Sequence, residues 1–255
     1  MSHTRTNRHL VIPDGQVKPG VRLTHWAALG RYIDEWRPNV IVCLGDFYDM
    51  PSLSQYENDL TVLAQRRIER DIEVGDTAWK AFTTPWLGKP NYAPRLVYTL
   101  GNHEQRWDRL MWEQPNLRGA VREPWKLAES QGWRVVPFLQ PTVIDGVAYC
   151  HLFVKGANGR VTNQKFGMPN ARTQVLREMR SATAGHKPGL DVHIQPIGNG
   201  SLRGVIAGSF YQHAEEFMTP QGDTYWRGIL VKHGVKRGNY DLMEVGLSYL
   251  LRKYT

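Results

Sequence analysis

Apolar residues fall into two alternating rhythms over the first hundred positions. His9 to Pro13, Val40 to Leu44 and Arg95 to Leu100 are short, nearly unbroken apolar runs, the pattern of strands buried on both faces. Between the first two, Trp26, Leu29, Tyr32-Ile33 and Trp36 recur at spacings of three and four, which predicts an amphipathic helix over Val21 to Trp36. Arg37-Pro38-Asn39 stops it. A second helix is predicted over Leu60 to Phe82, weakened near its end by Gly75. The order strand, helix, strand, helix, strand makes two βαβ crossovers, and such crossovers place the strand ends on one edge.

The second half has a different rhythm. Trp133 to Phe138 and Pro141 to Phe153 read as strands, the latter folded at Asp145-Gly146, a two-residue hairpin signal. Asn170 to Arg180 reads as a short helix and Val192 to Tyr211 as a hairpin about Gly198-Asn199-Gly200. Trp226 to Leu251 reads as further strands broken by Gly234, Gly238-Asn239 and Gly246, so this half is expected to be mostly antiparallel. With no biased linker, repeat or low-complexity stretch, the expectation is a single α/β domain over 1–255, two packed sheets flanked by helices.

What closes these strands carries the chemistry. Asp14 lies in Ile12-Pro13-Asp14-Gly15-Gln16, Asp46 in Gly45-Asp46-Phe47-Tyr48-Asp49, and Asn102 in Gly101-Asn102-His103-Glu104. His151 follows Tyr149-Cys150, and His186 lies in Gly185-His186-Lys187. Taken singly, these are turn residues, a helix cap or a core histidine. As an ordered set at the edge where open α/β sheets bind ligands, they read as a metal-dependent hydrolase. Oxygen and imidazole donors without a thiolate suit Mn²⁺, Fe²⁺ or Zn²⁺, and an aspartate shared by two ions would hold them about 3.5–4 Å apart to clamp a phosphoryl group.

Composition narrows the class. The 255 residues are 41% hydrophobic and 11% aromatic, as in a globular protein, and no stretch approaches the roughly 18 apolar residues of a membrane span. Met1 to Arg8 lacks the apolar core of a signal peptide, so the expected location is cytoplasmic. Cys43 and Cys150 are too few for a zinc tetrad or a disulfide framework and read as reduced core residues. The net charge of +8 favours a polyanionic partner, although the basic residues are spread, with only modest clusters such as Arg66-Arg67 with Arg70.

On these five motifs, spread over residues 9 to 211, the chain resembles the calcineurin-like metallophosphoesterases. The resemblance implies a four-layer α/β/β/α sandwich and hydrolysis of a phosphate ester by metal-activated hydroxide. It makes Asp46 the carboxylate bridging two metals, with Asn102, His151 and His186 around one ion and Asp14 on the other. His103 would face the substrate phosphate, with Asp49 orienting its imidazole and raising its pKa.

Two departures fall on the same half of that site. The superfamily's first motif is Asp-x-His, where this chain has Gln16, and its last is Gly-His-x-His, where this chain has Pro188. Asp14, Asp46 and the amide oxygen of Gln16 would remain. An amide oxygen is harder than imidazole, so Mn²⁺ is the favoured ion, with Mg²⁺, Zn²⁺ and Fe²⁺ as alternatives, as one or two ions. His193 or Asp191 could loop back to complete the shell, or Lys187 could place a cation there. Pro13-Asp14-x-Gln16-Val17-Lys18-Pro19 together with Gly185-His186-Lys187-x-Gly189-Leu190 resembles a branch common in tailed-bacteriophage genomes, implying a host-cytoplasmic protein.

Arg106, one turn past His103, is a candidate for gripping a phosphate oxygen. Trp79, Trp86, Trp107, Trp112 and Trp125 are expected mainly in the core, with a cleft wall as the alternative. The substrate expectation is DNA, cleaved by a phosphodiesterase or nuclease. The alternatives are a small-substrate phosphatase or phosphodiesterase and a binding protein impaired in turnover. Oligomeric state is not encoded in any motif.

Overall fold

The computed structural model describes residues 7–54, 68–154, 169–198, 200–214 and 225–255. Strands β1 (Asn7–Ile12), β2 (Val40–Cys43), β3 (Arg95–Thr99) and β4 (Arg134–Val136) run parallel, each paired with the next. Helix α1 (Thr24–Trp36) links β1 to β2, and α2 (Ile68–Thr83) precedes β3; α3 (Gln105–Glu113) and α4 (Lys126–Ser130) lie between β3 and β4. The expected second helix began at Leu60, and its residues 60–67, with Arg66-Arg67, lie outside the described residues. Gly75 within α2 has a packing reason: a Cβ there would come within 2.1 Å of the Tyr48 ring.

The second sheet contains β5 (Thr142–Ile144), β6 (Val147–Cys150), β7 (Ala182–Ala184), β8 (Leu190–Ile197) and β9 (Gly200–Ala207), in the order β5-β6-β7-β9-β8. The hairpins at Asp145-Gly146 and Gly198–Gly200 fall at the expected positions. The expectation of a mostly antiparallel second half is corrected at its centre, where β6 pairs with β7 and β7 with β9 in parallel. Strand β7 is only Ala-Thr-Ala, too short and too weakly apolar to announce itself, yet it carries the loop with His186. Helix α5 (Ala171–Glu178) packs on β8 and β9.

Strands β10 (Gly228–Lys236) and β11 (Asn239–Gly246) return to the first sheet, whose order is β11-β10-β1-β2-β3-β4. Both sheets are mixed, and six α-helices accompany them among the described residues. A second correction falls after Gly246, where the chain forms α6 (Leu247–Tyr254) instead of continuing as strand. Leu247, Leu250 and Tyr254 are buried at helical spacing against α1, with Tyr254 edge-on to Tyr32.

Core residues sort accordingly. Trp26, Trp79, Phe82 and Trp133 join the helices to one face of the first sheet. Val11, Val42 and Val97 of that sheet share a cluster with Val147, Tyr149 and Val205 of the second. Each such fully buried side chain contributes roughly 1.5–3 kcal/mol. Cys43 and Cys150 are free and buried, as expected. The parallel register brings the ends of β1, β2 and β3 to one edge, and the short bridge Asp14–Ser209 joins it to the end of β9. No helix among the described residues is long and apolar enough to cross a membrane.

Candidate metal centre

Four donors from four loops meet at this edge. Asn102 Oδ1 is 2.7 Å from His186 Nδ1 and 3.0 Å from His151 Nε2. His151 Nε2 is 3.3 Å from His186 Nδ1 and 3.3 Å from Asp46 Oδ2. Metal–nitrogen bonds of about 2.1 Å set adjacent ligands roughly 3.0–3.4 Å apart, so three of these four spacings match the edges of one coordination shell and the Asn102–His186 pair is slightly closer. Asp46, His151 and His186 form a group able to hold a metal. The His151 ring is fixed from behind, because its Nδ1–H donates to the Leu44 carbonyl at 2.8 Å and so turns Nε2 toward the other donors.

Backbone geometry at the centre is costly. Asp46, Gln16 and His186 have φ of 48°, 41° and 68°, left-handed conformations that cost a non-glycine residue roughly 1–2 kcal/mol each. Gly15 and Gln16 donate their N–H groups to the Asp46 carbonyl at 3.0 and 2.8 Å, tying the first motif to the second. Gly101 is obligatory because a Cβ there would sit 2.0 Å from Asp46 Oδ1.

Asp14 occupies the other side, with its Oδ1 accepting the His186 N–H at 3.1 Å and lying 3.8 Å from His151 Nδ1. Gln16 is buried beside it, and its Oε1 has no hydrogen-bond partner among the described residues. An orphaned buried carbonyl oxygen is unusual and fits a ligand aimed at a cation. Charge points the same way. Burial first, then the charge of Asp46, pushes the Asp14 carboxyl up to about 7. Burial also opposes ionisation of Asp46, but His103 and His151 outweigh it and hold that carboxyl far below the ordinary range. Burial disfavours charge on His151, yet Asp46 and Asp14 lift it to about 10. Without a cation, protons do the neutralising. The donor set therefore fits a divalent ion on the Asn102 side, with the Asp14 carboxylate adjoining it at His151.

His103 stands beside this set. Its Nδ1–H donates to Asp49 Oδ1 at 2.6 Å, and its Nε2 lies 3.7 Å from Asp46 Oδ2. Burial lowers its basicity, but Asp46 and Asp49 outweigh that and raise it to about 9, so the imidazolium predominates at neutral pH. Asp49 is held by Lys18 Nζ at 3.3 Å as well. Arg106 donates to the carbonyls of Asp49 at 2.8 Å and Met50 at 3.3 Å, with its Nη2 3.3 Å from His103 Nε2.

The cluster thus gathers Asp14, Asp46, Asn102, His151 and His186, with His103, Asp49 and Arg106 adjoining and Gln16 tied to it through its backbone N–H. His193 is not brought to it: this residue lies within β8 opposite Gly204, its Nε2 3.4 Å from Gln195 Oε1. Asp191 instead accepts the Ala171 N–H at 2.8 Å at the start of α5. Lys187 follows His186 in the same loop, its N–H donating to the Gly185 carbonyl at 2.8 Å. Trp79, Trp86, Trp107 and Trp125 are buried, whereas Trp112 is 78% exposed and lines a cavity of about 980 Å³ together with Asn102 and Arg106.

Sequence reasoning gave no role to Glu104. Fully buried, it accepts from the N–H groups of Asp46 and Gly101 at 2.8 Å each, from Tyr48 N–H at 3.0 Å and from Tyr98 O–H at 2.6 Å. One carboxylate thereby fixes the loops bearing Asp46 and Asn102. The signal was its spacing: a glutamate three residues after Gly101 can reach back to that N–H, as in a helix capping box. No protein-family model matches the chain, and no curated protein matches it.

Proposed function

We propose that this protein is a divalent-metal-dependent phosphoesterase with the four-layer sandwich of the calcineurin-like enzymes. Its substrate is DNA, hydrolysed as a phosphodiester, and its site of action is the cytoplasm. The observation that carries the reading is the convergence of Asn102, His151, His186 and Asp46 donors at 2.7–3.3 Å with the His103 imidazole beside them.

Asp46, Asn102, His151 and His186 would hold one ion, and Asp14, Asp46 and Gln16 a second, with Mn²⁺ favoured by the oxygen-rich set. A bound ion supplies Lewis acidity and an acidified water for attack at phosphorus. The protein's own groups do the rest. Asp49 holds the Nδ1–H of the His103 imidazolium, leaving its Nε2–H to give a proton to the departing oxygen and to balance charge on the phosphoryl oxygens, after which His103 is left as the neutral Nδ1–H tautomer. Arg106 holds the Asp49-Met50 turn in place under that imidazole.

The reading is tested with Mn²⁺-loaded protein on an aryl phosphodiester, an aryl monoester and labelled single- and double-stranded DNA. Diester and DNA hydrolysis is expected, and His103→Ala should slow it about 10²–10⁴-fold, most for esters with a poor leaving group. Absence of hydrolysis in every arm with Mn²⁺, Mg²⁺ or Zn²⁺ would sink the proposal.

A further inference from the structure

Two cavities differ in charge, and one of them reaches Asn102 of the metal centre. The one containing Trp112 is lined by Arg106, Arg109 and Arg118 but also by Asp108, Glu113 and Glu123, so its formal charges cancel. The second, of about 790 Å³, is lined by Arg22, Arg227, His213, Tyr225 and Trp226 and, among the described residues, by no carboxylate. Its volume lies in the range of pockets that enclose organic ligands, about 300–1,000 Å³, far beyond what a phosphate group alone needs.

The second cavity is joined to the catalytic edge through backbone. Ser209 bridges Asp14 on one side and Arg227 on the other. A Cβ on Gly189, in the loop that carries His186, would touch the Tyr225 ring at 3.5 Å, and one on Gly208 would lie 3.2 Å from the Trp226 ring. Tyr225, on the cavity wall, is therefore packed against the loop that carries His186. Within it Arg22 is exposed, Tyr225 is 39% exposed, and the Arg227 guanidinium lies 4.9 Å over the Tyr211 ring, which also stacks with the His213 imidazole. Cations interleaved with aromatic faces, next to a phosphoryl-transfer centre, match the chemistry of an unpaired nucleotide: guanidinium for phosphate, ring face for base.

We propose that this cavity is a nucleotide subsite for a single-stranded segment of the substrate, next to the one whose phosphate enters the metal centre. Arg22 and Arg227 take its phosphate, and Tyr225 stacks on its base. The inference rests on the phosphoesterase reading for the identity of the adjoining centre. Its consequence is a preference for polynucleotide over small diesters, because only a polymer reaches both places at once.

The test separates the two readings by measuring binding without metal. Anisotropy of a labelled single-stranded DNA 12-mer in EDTA reports the subsite, and Mn²⁺-dependent hydrolysis of an aryl phosphodiester reports the centre. Arg22→Glu, at an exposed position, should weaken the 12-mer at least tenfold and reduce the slope of log K against log salt by at least about 0.7, while the aryl diester is turned over within twofold of wild type. Tyr225→Ala should weaken the 12-mer about fivefold or more and leave an abasic oligomer of equal length within twofold. An affinity within twofold of wild type and an unchanged salt slope for Arg22→Glu would overturn the subsite. So would equal loss of the abasic and base-bearing oligomers in Tyr225→Ala, or duplex binding as tight as single strand and indifferent to Tyr225. A wild-type protein that binds the 12-mer as described but hydrolyses no diester would sink the phosphoesterase reading alone.

Discussion

The two halves of the candidate centre are built from the same kinds of loop yet reach opposite electrostatic states. On the Asn102 side, a neutral amide and two imidazoles surround one edge of Asp46, and every donor has a neighbour within 3.3 Å. On the Asp14 side, burial and the nearby Asp46 charge push Asp14 up to about 7, and the buried Gln16 Oε1 is left without a partner among the described residues. Asp46 is compensated chiefly by His103 and then His151, whereas Asp14 is left raised, so the halves should bind ions unequally.

Losing the Asp46 charge should have the largest effect. Asp46→Asn keeps the shape but removes the charge both halves share, and Mn²⁺ uptake and diester hydrolysis should both fall below detection, as checked by metal analysis after gel filtration and by steady-state assay. Retained stoichiometric Mn²⁺ would place the ions elsewhere. A smaller effect follows at Glu104, whose carboxylate accepts four donors. Glu104→Gln turns an amide N–H toward one of those donors, so a loss of about 10–100-fold in kcat at saturating Mn²⁺ and about 1–3 kcal/mol in stability is expected. Unchanged urea denaturation would show that Glu104 is not the tie between the loops.

Protons and ions should then compete visibly. His103 and His151 have folded values of about 9 and 10, above the ordinary 6.5 of the unfolded chain. A raised folded value gives stability that is complete below 6.5 and fades as pH rises through 9 to 10. The metal-free Tm should therefore fall between about pH 7 and 10, by about 2–4 °C per kcal/mol lost, and Mn²⁺ should flatten that fall by replacing the protons. Equal pH dependence with and without Mn²⁺ in a thermal melt would contradict the exchange.

Much of this was legible in the chain. The runs Val40 to Leu44 and Arg95 to Leu100 are too short and apolar to be anything but buried strands, and their register with β1 fixes where Asp14, Asp46 and Asn102 come together. The hairpin at Asp145-Gly146 is equally local, since Asp145 takes φ 50° and Gly146 φ 86°. What escaped notice depended on distant partners. Ala182–Ala184 becomes a strand only because β6 and β9 bond to both its edges, and Leu247–Tyr254 becomes a helix because α1 offers an apolar face. Glu104 hid inside a motif whose neighbours have more familiar chemistry, and His193 was drawn toward the centre by sequence proximity when strand pairing carries it away.

The unequal halves are tested most directly by a Mn²⁺ binding isotherm on metal-free protein, compared with His151→Ala and Gln16→Ala. Two ions are expected, with affinities separated by at least about tenfold. His151→Ala should remove the tighter and Gln16→Ala weaken only the looser. A single class of equivalent sites, or a tight site that weakens as much in Gln16→Ala as in His151→Ala, would show that the two halves do not bind ions unequally.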